Sequence, residues 1–235
     1  MLKFSWLTCM ALLTHVVSAD EIVPVRDWDH YRDQLISTGY SPSDADERIA
    51  TSLGVLRSMD RNAGSDRIGK LAPAFEFEAW LNSEPLDIEQ LRGRVLLVRW
   101  WTDTCPFCAS SAPALRTLHN EYEDEGLTLI GVFHPKARRN DPLNMPRVER
   151  VVNQREFEFP IAVDWDWRNG TLKDWWLTGP DRPATSVTFL VDKQGVIQFV
   201  HPGMEYHDES GPADHAMCVD DMLAIRSEIE RLLAE

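Results

Sequence analysis

The chain has 235 residues, 43% of them hydrophobic and nine of them tryptophan, which is enough for one large domain, alone or with an appendage. Its formal net charge of −14 excludes nucleic acid as the main partner, because phosphate neutralisation needs clustered Lys and Arg. Four cysteines are too few to staple a disulfide scaffold of this length.

Residues 1–19 have the layout of a secretory signal peptide. Lys3 gives a positive start, Phe4 to Val17 is largely apolar, and Val17-Ser18-Ala19 ends in small residues before Asp20. The apolar run is too short for a comfortable membrane span. Cleavage after Ala19 and a periplasmic or otherwise exported location are therefore expected, with Cys9 lost in the removed peptide. Residues 20–66 are polar and read as an N-terminal helical extension. In it, Pro42 opens a helix with Ala45, Ile49, Leu53, Leu56 and Met59 at helical spacing.

Residues 67–235 read as one α/β domain. Phe75, Phe77 and Ala79 alternate with Glu76, Glu78 and Trp80, which predicts a strand. Val95 to Trp101 is a continuous apolar run, as in a central buried strand. It leads into Thr102-Asp103-Thr104-Cys105-Pro106-Phe107-Cys108 and a helix reaching about Glu125, stopped by Gly126. Leu127 to Phe133 is the next buried strand. A basic loop with Lys136, Arg138 and Arg139 follows, then a helix from Pro146 to Glu156, a strand from Ile161 to Val163 and a short helix from Thr171 to Leu177. Thr185 to Val191 and Val196 to His201 pair as a hairpin around Asp192-Lys193-Gln194-Gly195. A helix from Met217 to Leu233 closes the chain.

This order leaves Cys105 and Cys108 at the carboxyl end of a central strand, where chemistry gathers in open α/β sheets. A thiolate, not a thiol, attacks a disulfide. A cysteine capping a helix receives unsatisfied N–H groups and the positive end of the helix dipole. Pro106 at the first helical position sacrifices no hydrogen bond. Cys105 is thus the expected attacking thiol, and Cys108, one turn further in, the resolving thiol. No second cysteine pair or nearby histidine pair stands at zinc-site spacing, so redox chemistry is favoured over metal binding. No cofactor or metal is expected.

From about Gly69 onward the chain resembles the TlpA/ResA-like, redoxin-related branch of the thioredoxin superfamily. The resemblance rests on Arg92-Gly93-Arg94-Val95-Leu96-Leu97-Val98, on Trp100-Trp101-Thr102-Asp103-Thr104-Cys105-Pro106-Phe107-Cys108, on Pro113 and on Phe189-Leu190-Val191-Asp192-Lys193-Gln194-Gly195. It implies a thioredoxin-like fold, a central mixed sheet flanked by helices, and dithiol–disulfide exchange outside the cytoplasm. It also implies that Pro113 kinks the active-site helix. The implied partners are disulfide-bonded or dithiol proteins, with a membrane electron donor as a further partner class. Three positions depart from the superfamily pattern. Arg99 replaces a buried Asp six residues before the first cysteine, Ser111 replaces a Glu three residues after the second, and Ser186 stands where a cis-proline is usual, Pro183 being three residues too early.

Arg99 has two readings. It favours the thiolate from beneath the cysteines, or it snorkels to the sheet edge; Asp164 and Asp166 are its alternative partners. Trp101 is expected in the core, with a lesser claim to line a substrate groove. Glu205 belongs to a stretch matching a loop near the active-site end in relatives. Glu205 with His207, Asp208, Asp214, His215 and Cys218 matches no tight ligand motif, and the cluster reads as a solvated acidic loop, Cys218 itself being a buried inert thiol or a third redox thiol. Two other functions compete. A thiol peroxidase fits Thr102 but lacks the expected proline at Val98. A copper carrier using His201 would space its cysteines one residue wider.

Overall fold

The structure is a computed structural model that describes residues 28–37, 39–58, 60–135, 142–208 and 216–235. The expected signal peptide, the basic loop and Asp214 and His215 lie outside the described residues. Six strands form one mixed sheet in the order β1-β4-β3-β2-β5-β6. They are β1 (Ala79–Leu81), β2 (Val95–Trp101), β3 (Leu127–Phe133), β4 (Ile161–Val163), β5 (Thr188–Val191) and β6 (Ile197–His201). Strands β2, β3 and β4 are parallel neighbours, whereas β1 pairs antiparallel with β4 on one side and β5 pairs antiparallel with both β2 and β6 on the other.

β2 is central and every residue of it is buried, so its period of two divides the core. Val95, Leu97 and Trp101 face one layer, with α3 (Pro106–Ser110), α4 (Ala112–Tyr122), α5 (Met145–Gln154) and α6 (Ala216–Ala234). Leu96, Val98 and Trp100 face the other, with Trp175 and Trp176 of a π-helical segment, Lys173–Leu177. Two helices precede the sheet, α1 (Trp28–Ser37) and α2 (Pro42–Ser58). They carry a small core of their own around Leu35 and Ala45. Among the described residues no helix is long and apolar enough to cross a membrane.

The structure corrects three local expectations. The strand expected from Phe75 forms only at Ala79–Leu81, because its partner β4 offers three residues. Phe75 instead stacks on Trp175 at 5.7 Å, and Phe77 meets Trp80 edge-on at 5.5 Å. The helix after the cysteines is two helices that break at Ser111 and end at Tyr122. Pro113 has no N–H to return to Ala109, which is where one continuous helix would need it. The expected strand from Thr185 starts only at Thr188, and α1 has no counterpart in the sequence reading.

Candidate functional site

Cys105 is the N-cap of α3, with Pro106 at the first helical position, and its Sγ accepts the Cys108 backbone N–H at 3.3 Å. Neither cysteine is in a disulfide, and Cys105 is 9% exposed and Cys108 2%. The outer sulfur is thus the one at the cap, and the inner one sits a turn deeper against the core. Burial pushes the Cys108 thiol up. The hydrogen bond with Cys105, the guanidinium groups of Arg99 and Arg155 and the backbone of Thr102 outweigh that and bring it down to about 5. The two thiols interact, so they titrate as a pair whose first proton comes off below the ordinary thiol value.

Arg99 lies on the same face of β2 as Leu97 and Trp101 and is 1% exposed, so it does not snorkel to the sheet edge. Its Nη1 donates to the Ser186 carbonyl at 3.3 Å and to Thr188 Oγ1 at 3.0 Å, and its Nη2 donates to the Met204 carbonyl at 2.6 Å. The Tyr206 ring lies 5.2 Å from its guanidinium. All of these partners are neutral. Asp164 and Asp166 are not partners: Asp164 faces the opposite layer through Trp100 Nε1, and Asp166 pairs with Asn169.

Ser186 is buried and no cis peptide bond is present among the described residues, so its contribution is a carbonyl aimed at Arg99. Gly203 makes that arrangement close. Its φ is +131°, and a Cβ there would meet Ala184 Cβ at 2.7 Å and the Ser186 carbonyl at 2.9 Å. Only glycine lets the 203–206 segment approach near enough for Met204 to reach Arg99. Glu205 is buried between Met204 and Tyr206, and His207 is also buried. The solvated-loop reading therefore fails for these residues, because the segment packs under α6 instead of crossing the surface. Among the described residues there is no cluster of three or more groups suited to a metal ion. His201 is engaged by Asp221 at 3.0 Å, and Arg61 also pairs with Asp221.

Trp101 is 1% exposed, which gives it no groove surface. It packs edge-on against Phe133 at 5.0 Å and Phe157 at 5.5 Å, and Arg155 lies 4.7 Å over its ring. Ser111 fixes the α3–α4 junction: its Oγ donates to the Phe107 carbonyl at 2.9 Å and accepts the Tyr206 N–H at 3.2 Å. Pro113 is exposed in the first turn of α4. Sequence reasoning missed two contributors. Arg155 reaches the site from the end of α5, and Arg48 of α2 donates to the Thr104 carbonyl at 3.1 Å, beside Cys105. No local spacing marks either residue.

Residues 67–215 match the family model described as Redoxin. The chain is similar to the thioredoxin-like protein YneN of Bacillus subtilis, at 26% identity over 57% of this chain and 71% of that protein. It is 28% identical to the thiol-disulfide oxidoreductase ResA of Halalkalibacterium halodurans, over 58% of this chain and 69% of that one. Protein DipZ of Mycobacterium bovis is 30% identical over 53% of this chain, a match that spans 17% of DipZ. Among solved structures, a thiol-disulfide isomerase from Corynebacterium glutamicum superposes with a TM-score of 0.53 at 21% identity, over 71% of this chain and 97% of that one. A thioredoxin-like superfamily protein superposes equally well, with a TM-score of 0.53 at 20% identity over 70% of this chain and 97% of the other. The thioredoxin-like fold, a six-stranded mixed sheet flanked by helices, agrees with the sequence reading.

Proposed function

The chain belongs to the redoxin family, and we propose that it works as a thiol–disulfide oxidoreductase in which Cys105 attacks and Cys108 resolves. The observation that carries this reading is the Cys105 sulfur at the cap of α3, accepting the Cys108 N–H and less buried than Cys108. A helix cap stabilises a thiolate at the position a substrate reaches first.

In the reducing direction the Cys105 thiolate attacks one sulfur of a substrate disulfide. The substrate S–S bond breaks, its other sulfur leaves as a thiolate and takes up a proton, and a mixed disulfide joins Cys105 to the substrate. Cys108, deprotonated, then attacks the Cys105 sulfur. The second substrate thiolate is released and the Cys105–Cys108 disulfide forms. Two electrons pass from the cysteine pair to the substrate, and the same steps in reverse oxidise a substrate dithiol.

Pro106 supplies the start of α3, and Pro113 with Ser111 sets the break behind it. Arg99 supplies positive charge beneath the pair, and Ser186 holds Arg99 through its carbonyl. Trp101 is a core platform, and Glu205 belongs to the segment that closes over Arg99. The proposed partners are proteins carrying a disulfide or a dithiol, with a membrane electron donor to restore the dithiol when the protein works in the reducing direction. The signal-like residues 1–19 support an exported location, followed by the helical extension and the redoxin domain.

A Cys108→Ser variant tests the roles. The mixed disulfide then has no resolving thiol and accumulates at Cys105, where non-reducing electrophoresis and peptide mapping detect it. Adducts on Cys218 instead of Cys105, or none at all, would contradict the assignment.

A further inference from the structure

Among the described residues, Arg155 is the buried cation near the cysteines to which the dithiol chemistry above gives no task. It is the C-cap of α5, and the helix ends in a Schellman motif: Phe157 N–H returns to the Val152 carbonyl at 3.2 Å and Glu156 N–H to Asn153 at 3.1 Å. That motif needs a left-handed residue after the cap, and Glu156 supplies it with φ of 53° where glycine is usual. The sharp ending turns Arg155 inward, and Arg116 holds its carbonyl at 2.8 Å.

Arg155 is 8% exposed, and its guanidinium reaches the loop that carries the cysteines. Its Nη2 donates to the Thr102 carbonyl at 3.2 Å, and the group lies over the Trp101 ring at 4.7 Å. Its Nη1 is buried with no hydrogen-bond acceptor. The carboxylate whose charge acts on it is Asp103, and that is already paired with Arg147 at 2.6 Å. Arg99 approaches the same sulfurs from β2, bonded only to neutral groups. Among the described residues, two guanidinium groups therefore share one buried region and neither forms an ion pair with a carboxylate. Both are always charged, and an uncompensated buried cation is costly.

We propose that Arg155 and Arg99 form a two-cation cradle whose counter-ion is the thiolate of the reduced cysteine pair, so that the protein is poised to oxidise dithiol partners. The proposal rests on the dithiol reading above and adds its direction. In the disulfide state the cradle holds no anion; after reduction it holds one. Stabilising the reduced form makes a disulfide a stronger oxidant. One substrate thiolate attacks the Cys105 sulfur, the Cys105–Cys108 bond breaks, and Cys108 leaves as the thiolate between the two cations. The second substrate sulfur, deprotonated, attacks the first, the bond from that sulfur to Cys105 breaks, Cys105 leaves as a thiolate that takes up a proton, and the substrate departs as a disulfide. The substrate loses two electrons and two protons; one proton stays on the cysteine pair and the other goes to solvent. A second disulfide compound must then re-oxidise the pair.

The charged and titratable groups around the pair among the described residues are Arg48 from α2, Arg99 from β2, Asp103 and its partner Arg147, Arg155 from α5, and Glu205 and Tyr206 from the segment before α6. Arg155→Gln removes one charge and keeps a planar donor for the Thr102 carbonyl; Arg155→Lys keeps the charge. In defined glutathione redox buffers, Arg155→Gln is expected to move the equilibrium toward the disulfide by about tenfold, about 30 mV. The apparent pKa of the pair, followed by thiolate absorbance, should rise by about one unit. Arg155→Lys should recover most of both changes. Unchanged equilibrium and pKa in a folded Arg155→Gln protein would reduce Arg155 to a structural brace and overturn the proposal. If that variant does not fold, the wild-type titration decides: a pair that loses its first proton near the free-cysteine value of about 8.5 has no cradle. A wild-type protein that forms no reversible Cys105–Cys108 disulfide would instead overturn the underlying dithiol reading, an outcome the same buffers distinguish.

Discussion

Asp164 lies fully buried just after β4, and one of its carboxylate oxygens accepts Trp100 Nε1 at 3.1 Å and the Leu172 N–H at 2.7 Å. Burial raises its pKa from 3.8 to about 7, with Glu78 and Asp166 adding to the rise, and the two hydrogen bonds offset only part of it. The folded-state pKa is above the unfolded one, so the folded protein binds the proton more tightly. The stabilisation is complete below the unfolded value of 3.8 and is lost as pH climbs through about 7. Asp164→Asn has no carboxyl to deprotonate. Subtracting its Tm from that of the wild type across this window should give a difference that falls steadily with pH. Parallel curves would show that Asp164 does not titrate there. Arg99 was visible in the sequence as a cation in a buried strand, but its partners were not. They are backbone carbonyls of Ser186 and Met204, which every sequence offers everywhere, and only the close approach at Gly203 selects these two.

The helices before the sheet differ from the rest in how they attach. α1 and α2 join each other through Arg32 and Asp46 at 2.6 Å and through the cluster around Leu35 and Ala45, a core separate from both layers of the sheet. Arg48 reaches from α2 to the Thr104 carbonyl, next to Cys105. The segment after α2 is tied more firmly. Ala63 is buried in the tryptophan layer, Gly64 lies against Trp176 where a Cβ would come within 2.6 Å of the ring, and Asp66 pairs with Arg182 at 2.8 Å. Deleting residues 20–58 should therefore leave a folded domain whose Cys105 is alkylated several-fold faster, as intact-mass kinetics would show. Extending the deletion through residue 66 should lower Tm, because it removes core packing as well. Unfolding on the shorter deletion, or an unchanged alkylation rate, would mean that α1 and α2 contribute to the core and do not shield the thiol. The β2–Cys105–α3 unit was legible because a buried run, a proline and a C-x-x-C spacing coincide locally. The strand at Phe75 was misread because alternation marks a half-buried segment but says nothing of how long its partner is.

Across the whole molecule, the sheet order brings four distant segments to one end of β2. The loop after β2 carries the cysteines, the turn after α5 brings Arg155, the segment before β5 brings Ser186, and the chain after β6 brings Met204 to Tyr206. Fold class and the cysteine pair could be read from local pattern. The charge environment could not, because it is assembled from residues far apart in sequence and exists only once the sheet has formed. The proposed activity requires the pair to cycle between dithiol and disulfide. The direct measurement is to equilibrate the protein over a range of glutathione redox buffers, quench with an alkylating agent and map the cysteine peptides. The expected result is a reversible, two-electron Cys105–Cys108 disulfide, with Cys218 remaining a thiol throughout. A pair that stays reduced under all buffers, or a disulfide that joins Cys218 to either cysteine, would contradict it.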